Sequence, residues 1–226
     1  TTASNNTAVG YLALRVNTTG TKNAAVGAQA LYSNTTADYN VAVGYNALYN
    51  NTTGYSNVAV GNQAADANTT GNANTALGHG ALGANSTGSN NVSIGYGSLG
   101  NNSTESDNTA VGFKSLHNNT TGHDNTAVGM DSALDMTTGG ENACFGFQAG
   151  RDITTGDNNV CIGPYAGQNQ VTTESDSLYI ARYDTAAGNA ATWIHGDSSG
   201  NCYQGNNGTH WTTTSDRRLK KNIVDS

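Results

Sequence analysis

NVAVGYNALYNNTTGYS, residues 40–56, is one complete turn of the pattern that decides the fold. Its Gly44 belongs to a series at 10, 27, 44, 61, 78, 95, 112, 129, 146 and 163, an unbroken spacing of seventeen through ten copies. Asn stands four residues before every one of these glycines, at Asn6, Asn23, Asn40, Asn57, Asn74, Asn91, Asn108, Asn125, Asn142 and Asn159. Self-similarity at a short fixed period marks a repeat architecture, in which units stack because none can bury its apolar side chains alone.

Within the unit, the residues around NVAVG alternate as a β-strand does, and Gly, Asn and Thr are too frequent for helix interiors. The unit therefore predicts short strand, turn, short strand, turn. The fold class is all-β, a parallel β-solenoid or β-roll of ten 17-residue repeats. At roughly 4.8 Å per rung, ten coils make a shaft on the order of 50 Å long.

In Val41-Ala42-Val43 and Val92-Ser93-Ile94, two bulky residues flank a small one. The bulky face is expected in the coil interior, leaving the small face for close approach by another layer or subunit. The Asn series is expected to form a ladder of side-chain amide hydrogen bonds. A second glycine, in TTG, recurs at 20, 54, 71, 88, 122, 139 and 156, with Ala37, Glu105 and Thr173 in phase. It predicts positive φ at that turn, with altered loops at the three exceptions.

Composition narrows the function classes. Charged residues are 11% and hydrophobic residues 35% of 226, which suits a repetitive scaffold, and the regular apolar period argues against disorder. All of the net charge of -7 lies in residues 1–175, eleven acidic against four basic, so nucleic acid is not an expected partner. No run approaches the roughly 18 apolar residues of a membrane span, and the opening TTASNNTAVG reads as repeat, not as signal peptide.

Candidate sites are few. Cys144 and Cys161 stand seventeen apart in the small-residue series and read as small buried apolar residues on adjacent rungs. The five His residues keep no ligand spacing, so no metal or cofactor is expected. Sequons such as Asn17-Thr18-Thr19 belong to the structural turn. Tyr11, Tyr45, Tyr96 and Phe113 share one series and Tyr32 and Tyr49 another, ladders on which a sugar could stack. Repeated Thr-Thr pairs raise the alternative of a monomeric ice-binding or purely structural solenoid, although adjacent threonines split between two faces.

Residues 171–211 depart from the period. Ser177 to Tyr183 looks like a strand and GDSSGN like a turn, together a short β-rich neck that closes the open end of the stack. The tail TTTSDRRLKKNIVDS, residues 212–226, carries four of the nine Lys and Arg residues. Ser215 with Lys220 is a candidate nucleophile and base.

TSDRRLKKNI resembles the S-D-x-R-L-K-x-x-I junction of the S74 peptidase family, the intramolecular chaperone domains at the C-termini of phage tail fibres, tailspikes and endosialidases. The segment from Ser177 to Asp216 is similar to the neck before such junctions. The NTAVG repeats resemble fibre repeats and, more distantly, the β-roll heads of trimeric autotransporter adhesins. The resemblance implies a homotrimer packed through its small-residue faces, an intertwined neck, and autocleavage between Ser215 and Asp216, with Ser215 as nucleophile and Lys220 as general base. It divides the chain into a shaft (1–170), a neck (171–214) and the start of a chaperone domain (215–226). The sequence ends at Ser226, eleven residues past the seam, so no activity is expected from this span. The implied partners are the chain itself and a host cell-surface polysaccharide or protein receptor, on a virion tail fibre or an extracellular surface, without membrane insertion.

Overall fold

The structure, a computed structural model, describes residues 2–168, 172–181 and 192–204. Its strands are β1 (Thr7–Val9), β2 (Ala24–Val26), β3 (Val41–Val43), β4 (Val58–Val60), β5 (Thr75–Leu77), β6 (Val92–Ile94), β7 (Thr109–Val111), β8 (Thr126–Val128), β9 (Ala143–Phe145), β10 (Val160–Ile162), β11 (Leu178–Ala181), β12 (Thr192–Gly196) and β13 (Cys202–Gln204). They form one sheet in chain order. The first eleven pair parallel and in strict register, Val41 against Val58 and Ala42 against Ala59, for example. The chain is a β-solenoid: each strand is one rung, and the rest of each repeat returns the backbone to the start of the next. Among the described residues no helix is long and apolar enough to cross a membrane.

Each coil has one strand where the sequence suggested two. Past the repeat glycine the backbone alternates into left-handed conformation, with Asn46 at φ 57° and Leu48 at φ 51°. Stacking survives that departure: Asn46 N–H donates to Ala28 O at 3.1 Å, Leu48 N–H to Ala64 O at 3.0 Å and Asn50 N–H to Asp66 O at 3.1 Å. The amides thus bond to the coil below at Asn46 and to the coil above at Leu48 and Asn50, which satisfies the backbone without extended geometry.

The strand faces are the reverse of the expectation. The small central residue points inward, with Ala25, Ala42, Ala59, Ala76 and Ala110 fully buried, while the flanking Val, Ile and Leu residues face outward. The coil is too narrow for anything else. Its interior already holds Leu31, Leu48, Leu82, Leu99 and Leu116 beside the buried Asn residues. A small-residue face sealed inside the coil cannot be the surface through which shafts pack.

The core is repacked toward the C-terminal coils, whereas Ala65 takes the Leu position with its Asn68 retained. Where the buried Leu shrinks to Ala133 and Gly150, Met136 and Ile153 take over positions held by Asn in earlier coils, and Cys144 replaces Ala. A Cβ on Gly150 would collide with Cys144 Sγ, and one on Gly167 would lie 2.7 Å from Cys161 Sγ. The cysteines are therefore the larger halves of compensated pairs in a close-packed interior.

The TTG glycines serve close approach, not positive φ. None is in the left-handed region, which falls two residues later at Tyr39, Ser56, Ala73 and their equivalents. A Cβ on Gly54 or Gly71 would strike the carbonyl oxygen of the next coil. Glu174, not Thr173, occupies the last position of this series, because Asn159 Nδ2 donates to Glu174 O at 2.8 Å. The tenth coil is one residue longer, so β11 pairs with β10 eighteen residues on, Val160 opposite Leu178. The parallel stack thus runs past residue 170, and β12 and β13 then turn back antiparallel. Asp197 Oδ1 accepts from the N–H groups of Ser199 and Asn201, both at 3.0 Å, and fixes the turn between them.

Candidate functional site

Two columns of asparagine hold the coil interior. In the first, each Oδ1 accepts the backbone N–H of the next Asn in the series: Asn23 N–H on Asn6 at 2.8 Å, Asn40 on Asn23 and Asn57 on Asn40 at 2.9 Å. Each Nδ2 donates to the carbonyl of its coil's TTG position, Asn40 to Gly54 at 2.9 Å and Asn57 to Gly71 at 2.8 Å. The same pattern continues through Asn74, Asn91, Asn108, Asn125, Asn142 and Asn159. Most of these bonds join side chain to backbone; amide-to-amide contacts within the column are confined to two rungs, Asn91 to Asn74 at 3.2 Å and Asn142 to Asn125 at 3.1 Å.

The continuous amide-to-amide ladder lies in a second column, the Asn of each NTT triplet, which the sequence reading treated only as turn. Asn34 Nδ2 donates to Asn17 Oδ1 at 2.9 Å, and the chain continues through Asn51, Asn68, Asn85, Asn102 and Asn119 at 2.8–3.1 Å. Each also donates to the TTG carbonyl, so Gly54 O receives both Asn40 and Asn51. The column stops at Asn119, whose buried Oδ1 has no partner because Met136 stands above it. These are the sequon asparagines. Asn34 and Asn51 are fully buried with Nδ2 donating twice, so the folded chain offers no acceptor for a glycan there.

With the interior filled by structure, chemistry is confined to the outer surface. Tyr11, Tyr45, Tyr96 and Phe113 follow the repeat glycine and range in exposure from 73% at Tyr11 to 44% at Phe113. Tyr96 is stacked between His79, at 5.2 Å and 9°, and Phe113, at 5.4 Å and 13°. Its two ring faces are therefore covered by neighbours and its edge is what solvent meets. Ala28 and Asn62 interrupt the series around Tyr45, so the structure does not join all four into one ladder. Tyr32 and Tyr49 stack at 5.1 Å, and Arg15 Nη1 donates to Tyr32 Oη at 2.6 Å.

The titratable groups show no catalytic grouping among the described residues. His117 Nδ1 bonds Gly97 O at 2.6 Å, and His123 Nδ1 bonds Asp124 Oδ2 at 2.9 Å, a contact that raises the His123 pKa. The hydrogen bond to Cys144 and then burial hold the Cys161 thiol well above the usual thiol range. Cys161 is thus held as the neutral thiol, and both cysteines are free and buried. No group of three or more His, Cys, Asp or Glu among the described residues is placed to hold a metal ion. In the threonine pairs, the first hydroxyl donates to the next coil's backbone, Thr18 to Thr35 O at 2.9 Å and Thr52 to Thr69 O at 3.0 Å, while the second Thr is exposed.

Ser215, Asp216 and Lys220, with the bond between Ser215 and Asp216, lie outside the described residues, as do residues 171, 182–191 and 205–214 of the neck. Compared with known protein families, characterised proteins and solved structures, the chain matches none.

Proposed function

We propose that this chain is the shaft of a homotrimeric fibre, a phage tail fibre in the first instance, that carries attachment to a host surface polysaccharide or protein receptor. In the precursor, a chaperone domain following the shaft cuts itself away between Ser215 and Asp216, with Ser215 as nucleophile and Lys220 as its base. The observation that carries the reading is the completeness of the interior. Asn, Ala, Leu and Gly columns fill the coils, with Met136, Ile153, Cys144 and Cys161 in the later ones, and a stacked rod with no chemistry inside it is suited to presenting a surface at a distance. The motif TSDRRLKKNI supplies the processing seam.

The reading is tested on a chain extended past Ser226 with the sequence that follows it in the precursor. Wild type is expected to release a fragment beginning at Asp216, and Ser215→Ala and Lys220→Ala to remain uncut. Cleavage at the same bond in both variants would remove the dyad. Binding of the mature trimer to bacterial surface polysaccharides on a glycan array is the second expected result; thermal hysteresis without glycan or cell binding would favour the ice-binding alternative.

A further inference from the structure

The outward side of the solenoid is not uniform. Three columns run side by side along it: the first and last residues of β1 to β10, and the residue after each repeat glycine. These thirty positions contain no Asp, Glu, Lys or Arg, and one His, His79. Every charged residue of the coils stands elsewhere, as at Arg15, Lys22, Asp66, Asp124 and Glu141.

The same three columns hold the exposed apolar surface. Of the fifteen large hydrophobic residues exposed among the described residues, twelve stand here, the others being Val16, Tyr39 and Tyr55. In the column that ends each strand, the exposed residues run from 37% at Val43 to 58% at Val9. Strict register keeps the columns parallel to the axis, so the surface is a straight stripe rather than scattered residues. A stripe about 50 Å by 12 Å is on the order of 600 Å². That is at the upper limit of what monomers leave exposed, and it approaches the roughly 800 Å² each partner gives to a stable interface.

We infer that this stripe is where copies of the chain pack against one another, side by side along the shaft. A second copy is the occupant that matches it, because an uncharged, straight stripe is complementary to itself at every coil along its length. A lipid surface is disfavoured by the net charge of -7 and by the absence of Lys or Arg in the stripe. The inference rests on the fibre reading for the existence of the assembly and on the exposed columns for its location.

The test uses the full chain and light scattering, with circular dichroism to establish that each variant is folded. Val43→Asp with Val60→Asp is expected to convert the wild-type multimer to a folded monomer, weakening assembly at least about a hundredfold by burying unpaired carboxylates. Thr53→Asp with Thr70→Asp, on the exposed threonine column, is expected to leave the multimer intact. In a Cys202→Ser background, Val60→Cys is expected to cross-link chain to chain on oxidation and Thr53→Cys is not, a readout that holds even if the Asp variants fail to fold. A multimer unaffected by the Val→Asp pair, or cross-linked through position 53 in preference to 60, overturns the stripe and leaves the fibre reading standing. A wild type that is monomeric at high concentration overturns both.

Discussion

Replacing Gly61 by Ala is the most informative single change in the repeat. Gly61 has φ +142°, which L-residues do not adopt without strain of about 1–3 kcal/mol. A Cβ there would also enter the carbonyl of Gly78 in the next coil, 2.6 Å from its carbon. Relief requires the coils to part by about 1 Å to reach ordinary van der Waals separation. Two bonds across that rung, Gly78 N–H to Val60 O at 2.8 Å and Gly80 N–H to Asn62 O at 3.0 Å, would then be stretched past useful length. At about 1 kcal/mol each, they bring the expected loss to about 3–5 kcal/mol. Gly71→Ala is the matched control: a Cβ there meets Gly88 O, as close an approach as at Gly61, but without positive φ, so the coil-parting loss of about 2 kcal/mol is expected without the backbone strain. Urea unfolding followed by circular dichroism measures both, and hydrogen exchange at residues 57–80 reports whether the damage is local, as a stack of nearest-neighbour units requires. A Gly61→Ala variant within 1 kcal/mol of wild type, or no worse than Gly71→Ala, would refute the reasoning.

Other outcomes follow from the same geometry. Gln29 and Lys114 sit at φ 59° and 51° in a column where Gly80 and Gly97 also occur, so changing either to Gly is expected to raise stability by about 0.5–1 kcal/mol in urea unfolding. Cys144 and Cys161 are expected to resist a maleimide in the native state and to react once urea unfolds the coils, as followed by mass spectrometry. Met136→Asn would give Asn119 Oδ1 a donor but leave a void beside Ala133, and Ala133→Leu alone would overfill the coil. The double variant is expected to be at least about 1 kcal/mol more stable than the two single effects sum to, in a double-mutant cycle.

The fold was legible because its cause is periodic. Gly44 and Asn40 recur without exception, and the structure gives each a reason that no other residue type satisfies: a φ near 137° against the next coil's carbonyl, and an amide that bonds two coils at once. The orientation of Val41-Ala42-Val43 was not legible. Periodicity separates two faces of a strand but does not say which is inside; that is set by the width of the coil, which depends on Leu48 and Asn51 crossing it. Asn51 itself was hidden by its company, since Asn-Thr-Thr-Gly is also ordinary turn chemistry. Its strict recurrence from Asn17 to Asn119 was the available signal. The shift from Thr173 to Glu174 depends on one added residue between Gln168 and Thr172, which fixed counting cannot anticipate. For the outer surface, sequence gave the aromatic series but not that Tyr96 lies pressed between His79 and Phe113, because ring stacking depends on the neighbours' rotamers.

The orphaned Oδ1 of Asn119 has a mechanical meaning. A rod loaded along its axis shares tension among all the bonds that cross one rung, and the rungs after Asn119, where Met136 and Ile153 stand, lack the amide-to-amide bond that every earlier rung from Asn17 onward possesses. Under a rising pull the break is expected among the coils after Asn119, while the first seven remain zipped. The region of failure is thus written into the sequence where the Asn column gives way to Met136 and Ile153.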